Sequence, residues 1–338
     1  MFRNDYGVSC ADEVLEALYK IKDEENFGYG EDYHTKRAAS LIRATFGLND
    51  DAGVFFLGGG TQANLTVISY YLRPFEAVIC CDTGHINVHE TGAVEATGHK
   101  ILTAPNEDGK ITPSAIRAIL AKHTDAHMVK PKMVYVSDST ETGTIYSLKE
   151  LEAIRKVCDE NGLCLFLDGA RLGSALTSIS NDVKSEDIAR LTDVFYVGGT
   201  KNGALFGEAV IIKDPTLAKD FLYHIKNRGA LFAKGFILGA QFEALFETGL
   251  YFHLASHANE MALLIKEGLL KIGIPLYGNS VTNQIFIIVE KEKTNGVLQR
   301  FSLEYWGEEG GKDVLRIVTS FKTKKEEVED LLSYLSSY

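Results

Sequence analysis

From Gly53 to Ile212 the chain alternates between two hydrophobic rhythms. The apolar runs "GVFFL", "AVICC", "KMVYVS", "LCLFLD", "DVFYVGG" and "EAVIIK" are too short for helices and rich in β-branched and aromatic residues, so they predict strands. Between several of them, apolar residues recur at helical spacing. "TQANLTVISYYL" predicts one helix, and "SLKELEAIRKVCDENG" a second that ends on a glycine. Strands alternating with helices predict a mostly parallel sheet covered on both faces, in which ligands gather at the carboxyl ends of the strands. The expected class is α/β.

After "EAVIIK" the rhythm changes. Helical spacing runs from about Pro215 to Leu270, with a break near "ETGLYFH". Three strand candidates follow, "NQIFIIV", "FSLEYW" and "VLRIVTS", and then an amphipathic helix in "KTKKEEVEDLLSYLSSY". The pattern predicts a large domain over residues 1–245 and a smaller α+β domain over 246–338, packed closely because no repeat or low-complexity linker separates them.

Composition acts mainly by exclusion. A formal charge of −11 over 338 residues disfavours nucleic acid and anionic membrane as partners, since both need a basic face. "MFRNDYGVSC" is too polar for a signal peptide, and no apolar run approaches the ~18–20 residues that cross a bilayer. Cys10, Cys80, Cys81, Cys158 and Cys164 are scattered and form no C-x-x-C pair. A reduced, cytoplasmic protein with no metal site is expected.

Three strand ends carry candidate chemistry. In "FFLGGGTQANL" a strand, a glycine turn and a helix start make a nest of backbone N–H groups that favours an anion. Its spacing fits neither G-x-x-x-x-G-K-[ST] nor G-x-G-x-x-G, which disfavours a nucleotide and leaves a plain turn open. "LCLFLDGARLGSAL" delivers Asp168 to the sheet's carboxyl edge, with Arg171 three positions on; a helix-capping aspartate is the plainer alternative. In "VFYVGGTKNGALFGEAV", Lys201 is flanked by Gly198, Gly199, Thr200, Asn202 and Gly203. Lysine is rarely buried. Small neighbours let a bulky partner reach its ε-nitrogen, and low polarity with nearby cations makes the amine nucleophilic. A snorkelling or ion-paired lysine remains the alternative.

Together the three ends describe one ligand, pyridoxal 5′-phosphate. It has a phosphate, a pyridine nitrogen that needs a carboxylate, and an aldehyde with which a lysine condenses. A carboxylate about 4 Å from the pyridinium contributes on the order of 4 kcal/mol at an effective dielectric of ~20, before desolvation.

The segments "FGYGED", "GGGTQANL", "GHINVHETGA", "FLDGARLGSAL", "GGTKNG" and "LRIVTS" occur in an order that resembles one family. It is the threonine aldolase and aromatic β-eliminating lyase branch of the fold-type-I pyridoxal-phosphate enzymes. The resemblance covers nearly the whole chain, and "DGARLG" followed by "GGTKN" is its most specific part. It implies that Lys201 carries the cofactor and that Asp168 keeps the ring nitrogen protonated. Gly59, Gly60, Thr61 and Thr200 would cradle the phosphate, and His85 would stack on the ring. Arg171 and Arg316 would clamp the substrate carboxylate, with Asn4 from the N-terminal arm. Tyr29 would lie near a site completed by a second subunit of a homodimer or homotetramer, with positive charge added by Lys226, Arg228 and Lys234. His127, in "HTDAHMVKP", and His85 are candidate bases, since histidine titrates near neutrality.

The implied reaction is cleavage of a β-hydroxy-α-amino acid to glycine and an aldehyde. β-Elimination or transamination, and cofactor binding without turnover, stay open as alternatives. Two departures stand out. Where relatives show a Glu-Asn-Thr-His-like stretch the chain reads "SDSTETGTIYSL", with Thr140 and Glu141, and Asn4 replaces a common serine.

Overall fold

The structure is a computed structural model that describes residues 2–337. Ten strands are present among them: β1 Gly53–Leu57, β2 Glu76–Cys81, β3 Lys100–Ala104, β4 Lys130–Ser137, β5 Cys164–Asp168, β6 Val194–Gly198, β7 Glu208–Ile212, β8 Gln284–Val289, β9 Glu304–Glu309 and β10 Lys312–Val318. The first seven form one sheet in the order β1-β7-β6-β5-β4-β2-β3, and the last three a small antiparallel sheet in the order β8-β10-β9. In the large sheet only β7 runs against its neighbours β1 and β6, so six strands present their carboxyl ends to the same edge. The mostly parallel α/β sheet and the smaller α+β unit both match the expectation from patterning.

The apolar runs are continuous because both faces of this sheet are buried, and alternate residues serve alternate cores. Leu165 and Leu167 of β5, with Phe195 and Val197 of β6, pack into one core; Phe166, Val194 and Tyr196 pack into the other. The first core is closed by the helix Leu148–Asn161, which begins on a Ser147–Glu150 capping box and ends on left-handed Gly162. The second is closed by the helix Gly60–Tyr71 through Ala63, Val67 and Ile68.

The helical region after β7 is three helices, Pro215–Asn227, Phe236–Glu247 and Leu250–Lys271. The break at "ETGLYFH" is present. A second, at Arg228–Gly235, has no proline and was masked by the apolar residues of "GALFAKGFIL". Residues 245 and 246 lie inside Phe236–Glu247, which packs into the large core through Phe242, Leu245 and Phe246. The following helix serves both units: Tyr251 belongs to the large core, whereas Met261, Ala262, Ile265 and Leu269 belong to the small one. Phe2 joins that small core, its backbone paired with Phe301 and Val318. No helix among the described residues is long and apolar enough to cross a membrane.

Candidate active site

One edge of the large sheet collects the chemistry. Gly59 and Gly60 follow β1, His85 follows β2, Glu141 follows β4, Asp168 ends β5, Thr200 and Lys201 follow β6, and Glu208 opens the reversed β7. Gly60, His85, Ser137, Glu141, Asp168, Arg171, Tyr196, Thr200, Lys201 and Glu208 line a single cavity there.

Asp168 is 3 % exposed. The alternation of side chains puts it on the same face as Tyr135 and Tyr196, against the helix Gly60–Tyr71. Tyr135 donates to its Oδ2 at 2.5 Å and Asn64 at 3.0 Å, while the Tyr196 hydroxyl and Ala170 N–H (3.0 Å) donate to Oδ1. Burial opposes its charge, but the His85 ring and the two tyrosine hydroxyls hold its pKa below the usual carboxylate range. Asp168 therefore stays ionised. A ring N–H that joins these four donors replaces one of them, because a carboxylate offers about four acceptor positions. Of the donors, Tyr196 and Ala170 belong to residues that line the cavity, and both bond Oδ1.

Lys201 lies in the turn after β6, where the glycines on either side are required by close approach. A Cβ on Gly198 would stand 2.4 Å from the carbonyl of Ala170, and one on Gly199 2.7 Å from Phe242. Burial, and then the charge of Arg171, push its pKa down. The amine loses its proton more easily than an ordinary lysine, as a nucleophile requires. Glu208 lies close by and accepts from Gly199 N–H at 3.0 Å; burial pushes its pKa up to about 7.

The glycine turn after β1 leads directly into a helix. Gly59 is the N-cap of a 12-residue helix, and a Cβ placed on it meets nothing within 4 Å, so the space before the helix N-terminus is open. Thr200 is tied to Gly207 N–H by its Oγ1 at 2.9 Å. Thr61 sits in the first helical turn, exposed. These features fit pyridoxal phosphate: an open anion nest, a permanently ionised carboxylate, and a buried lysine of lowered pKa in one cavity. A buried oxygen of Glu141 that lacks any hydrogen-bond partner also faces this cavity.

His85 opens a short helix and is held from two sides. Its Nδ1 meets Glu90 Oε1 at 2.8 Å, and its backbone N–H donates to Glu141 Oε1 at 3.1 Å. Glu90 is buried and is also bonded by Asn64, which links the histidine to the Asp168 cluster. His89, exposed at the mouth, has its ring centre 5.5 Å from that of His85. Burial and the neighbouring His85, Arg316 and Lys201 push its pKa down, so it is neutral near pH 7.

Arg171 and Arg316, the pair expected to meet a substrate carboxylate, lie within electrostatic reach of each other and have partners the patterning missed. Arg171 makes a bidentate pair with Asp5, Nε to Oδ2 at 2.7 Å and Nη2 to Oδ1 at 3.0 Å. Asp5, not Asn4, is therefore the arm residue that reaches this cluster. The Asn4 side chain accepts from Tyr6 N–H and lines a separate recess with Arg3 and Val8. Arg316, on β10, donates to Glu304 and to Gln284 Oε1 (3.2 Å), while its Nε is buried without a partner. Burial and the charge of Arg171 push its pKa down, a sign that two guanidiniums face the same space. Such a pair attracts an anion.

Two candidates do not join the cavity of their own chain. His127 is exposed in the loop before β4. That loop is at the amino edge of the sheet, so the length of an eight-residue strand, roughly 23 Å at ~3.3 Å per residue, separates it from Asp168. Tyr29 is half-exposed under Lys226, whose Nζ is 4.5 Å from its ring centre. It lines an apolar recess with Phe55, Leu231 and Phe232. Residues that sequence reasoning missed include Asp5, Asn64, Tyr135, Tyr196 and Glu208, and Glu141 was noticed there only as a departure from relatives. The signal for Glu208 was an acid at the head of an otherwise apolar strand.

A doubly covered sheet with lysine, carboxylate and anion nest on its carboxyl edge defines the class: a fold-type-I pyridoxal-phosphate enzyme. The profile of the β-eliminating lyase family matches residues 2–292, and the chain belongs to that family. It is 36% identical over 289 residues to the low specificity L-threonine aldolase of Pseudomonas sp. (strain NCIMB 10558), covering 85% of this chain and 83% of that one. With the enzyme of the same name from Pseudomonas aeruginosa it shares 33% identity over 334 residues, 98% of this chain and 95% of the other. Among solved structures, Leishmania major threonine aldolase superposes with a TM-score of 0.97 at 45% identity, covering 99% and 98% of the two chains. An aspartate aminotransferase mutant from Thermus thermophilus, 16% identical, shares the fold at a TM-score of 0.73, over 98% of this chain and 89% of that one.

Proposed function

We propose that the protein cleaves β-hydroxy-α-amino acids of the threonine type to glycine and an aldehyde. The observation that carries this reading is the single cavity in which Lys201, ionised Asp168 and Arg171 converge, with Arg316 near enough to feel the charge of Arg171, in a chain closely similar to threonine aldolases. Pyridoxal phosphate bound at Lys201 supplies an electron sink for the pair left on Cα when the Cα–Cβ bond breaks.

The chain's own residues do the rest. Gly59, Gly60, Thr61 and Thr200 hold the phosphate, and Asp168 maintains the positive charge on the ring nitrogen. Arg171 and Arg316 bind the substrate carboxylate and so orient the bond to be broken. His85, fixed by Glu90, covers the ring. His89 takes the proton of the β-hydroxyl, since it is neutral near pH 7 and lies at the mouth beside Arg316. Half-exposed Tyr29 lines the recess of Phe55, Leu231 and Phe232, and this open apolar surface supports assembly as a homodimer or homotetramer.

Product analysis tests the reading. With L-threonine or L-allo-threonine the cofactor-loaded protein releases acetaldehyde and glycine in equal amounts. Ammonia and a keto acid from L-serine or L-tyrosine, with no aldehyde from threonine, assigns it to β-elimination instead.

A further inference from the structure

Glu141 is the one buried acid of the cavity with an unused oxygen. Its Oε1 accepts from Ser137 Oγ at 2.8 Å and from His85 N–H at 3.1 Å, while Oε2 is buried with no hydrogen-bond partner. No cation pairs with it, whereas Arg171 pairs with Asp5 and His85 with Glu90. An orphaned buried carboxyl oxygen is destabilising unless a ligand uses it.

The strand order says which part of the ligand lies there. In pyridoxal phosphate the ring nitrogen and the aldehyde carbon are opposite each other, and the phosphate arm and ring hydroxyl flank that axis on opposite sides. Asp168 on β5 and Lys201 after β6 set the two ends of the axis. The glycine nest after β1 and Thr200 after β6 take the phosphate on one side of it. The hydroxyl is left facing β4, the neighbour of β5 on the other side, where the loop after β4 brings two groups with an oxygen to spare to the cavity, Ser139 Oγ and Glu141 Oε2; of the two, Glu141 is the one fixed by the backbone of His85.

We propose that Glu141 carries a proton on Oε2 and donates it to the ring hydroxyl oxygen of the cofactor, an inference that rests on the reading of the cavity as a pyridoxal-phosphate site. The groups around it favour a neutral acid. Asp168 at the end of β5 presents a second carboxylate; the Ser137 hydroxyl, the backbone N–H of Glu141, the His85 ring after β2 and Arg171 oppose it, but burial and Asp168 together push the Glu141 pKa up.

The test is a titration by visible absorbance of wild-type, Glu141→Gln and Glu141→Ala proteins, each reconstituted with pyridoxal phosphate. Lys201, once joined to the cofactor, holds a proton shared with the ring oxygen, and its loss changes the spectrum. A neutral donor to that oxygen lowers the midpoint, and a nearby negative charge raises it. Glu141→Gln, which keeps an N–H donor, is expected to leave the midpoint within a few tenths of a pH unit, and Glu141→Ala to raise it by on the order of one unit. A midpoint that falls in Glu141→Gln means an ionised Glu141 and overturns the proposal, as does a midpoint unmoved in both variants. The cofactor-free protein gives a second readout: an infrared band of a protonated carboxyl present in wild type and missing in Glu141→Gln. Its absence from wild type also overturns the proposal. A wild-type protein that shows no visible band with the cofactor overturns the site reading itself, and this inference with it.

Discussion

At the scale of single residues, Lys201 is held in a state that costs stability. Its folded pKa lies below that of an exposed lysine, so the folded chain binds fewer protons than the unfolded one between the two values. The penalty is full below the folded pKa and fades as pH rises toward the ordinary lysine value. Lys201→Met is therefore expected to resist urea better than the cofactor-free wild type at pH 7, with the difference shrinking near pH 10; equal midpoints at both pH values contradict the assignment. Asp168→Asn keeps the shape but removes the charge that Tyr135, Tyr196 and Asn64 converge on. It should lower kcat by at least about 100-fold while cofactor binding survives on the phosphate nest and Lys201. Arg316→Ala removes one charge-assisted contact, about 1.5–3 kcal/mol, and is expected to lower kcat/KM about 10- to 150-fold with the loss mainly in KM. His89→Asn should instead lower kcat and abolish the acid limb of the pH–rate profile. That limb lies below the ordinary histidine range because burial and three neighbouring cations depress the imidazole.

At the scale of elements, alternation and capping were legible in sequence because each is local. Leu165 to Leu167 report a strand with both faces buried, and Ser147 followed by Glu150 reports a helix start. Ser147→Ala should cost about 1 kcal/mol, read as a lowered urea midpoint with unchanged kcat. The strand ends also announced Asp168 and Lys201: a cap or a snorkelling chain explains either one alone, but the two charges with the glycine nest on one edge point to a ligand. Their supports were silent. Asn64, Tyr135 and Tyr196 meet Asp168 only because three separate elements place one face together, and a tyrosine in an apolar run reads as core. His127 failed for the same reason in reverse: histidine chemistry was visible, but the strand edge on which it lies was not. Close packing at the end of β5 makes its own prediction. A Cβ on Gly169 would stand 1.9 Å from the Tyr196 carbonyl, so Gly169→Ala is expected to displace β6 and abolish cofactor retention.

At the scale of the whole molecule, the site is an agreement among distant parts. Arg316 comes from the small sheet, Arg171 from the large one, and the helix Leu250–Lys271 runs through both cores between them. The apolar recess around Tyr29 is the face proposed for assembly. Phe55→Glu, at a position half-covered in the single chain, is expected to shift sedimentation toward the monomer. The Asp5 contacts have a further consequence, in time. Asp5 holds Arg171 and is itself held by Asn283, 278 positions later. At roughly 5–20 residues per second, ~15–55 s of translation separate the two. Phe2 waits longer still, since it is gripped by Phe301 and Val318. A nascent chain that has finished its lysine, its carboxylate and its glycine nest therefore still lacks a seated arm. Cofactor capture and arm docking become successive events, and a ribosome-stalled chain ending before Asn283 would hold the cofactor site in an unlatched form.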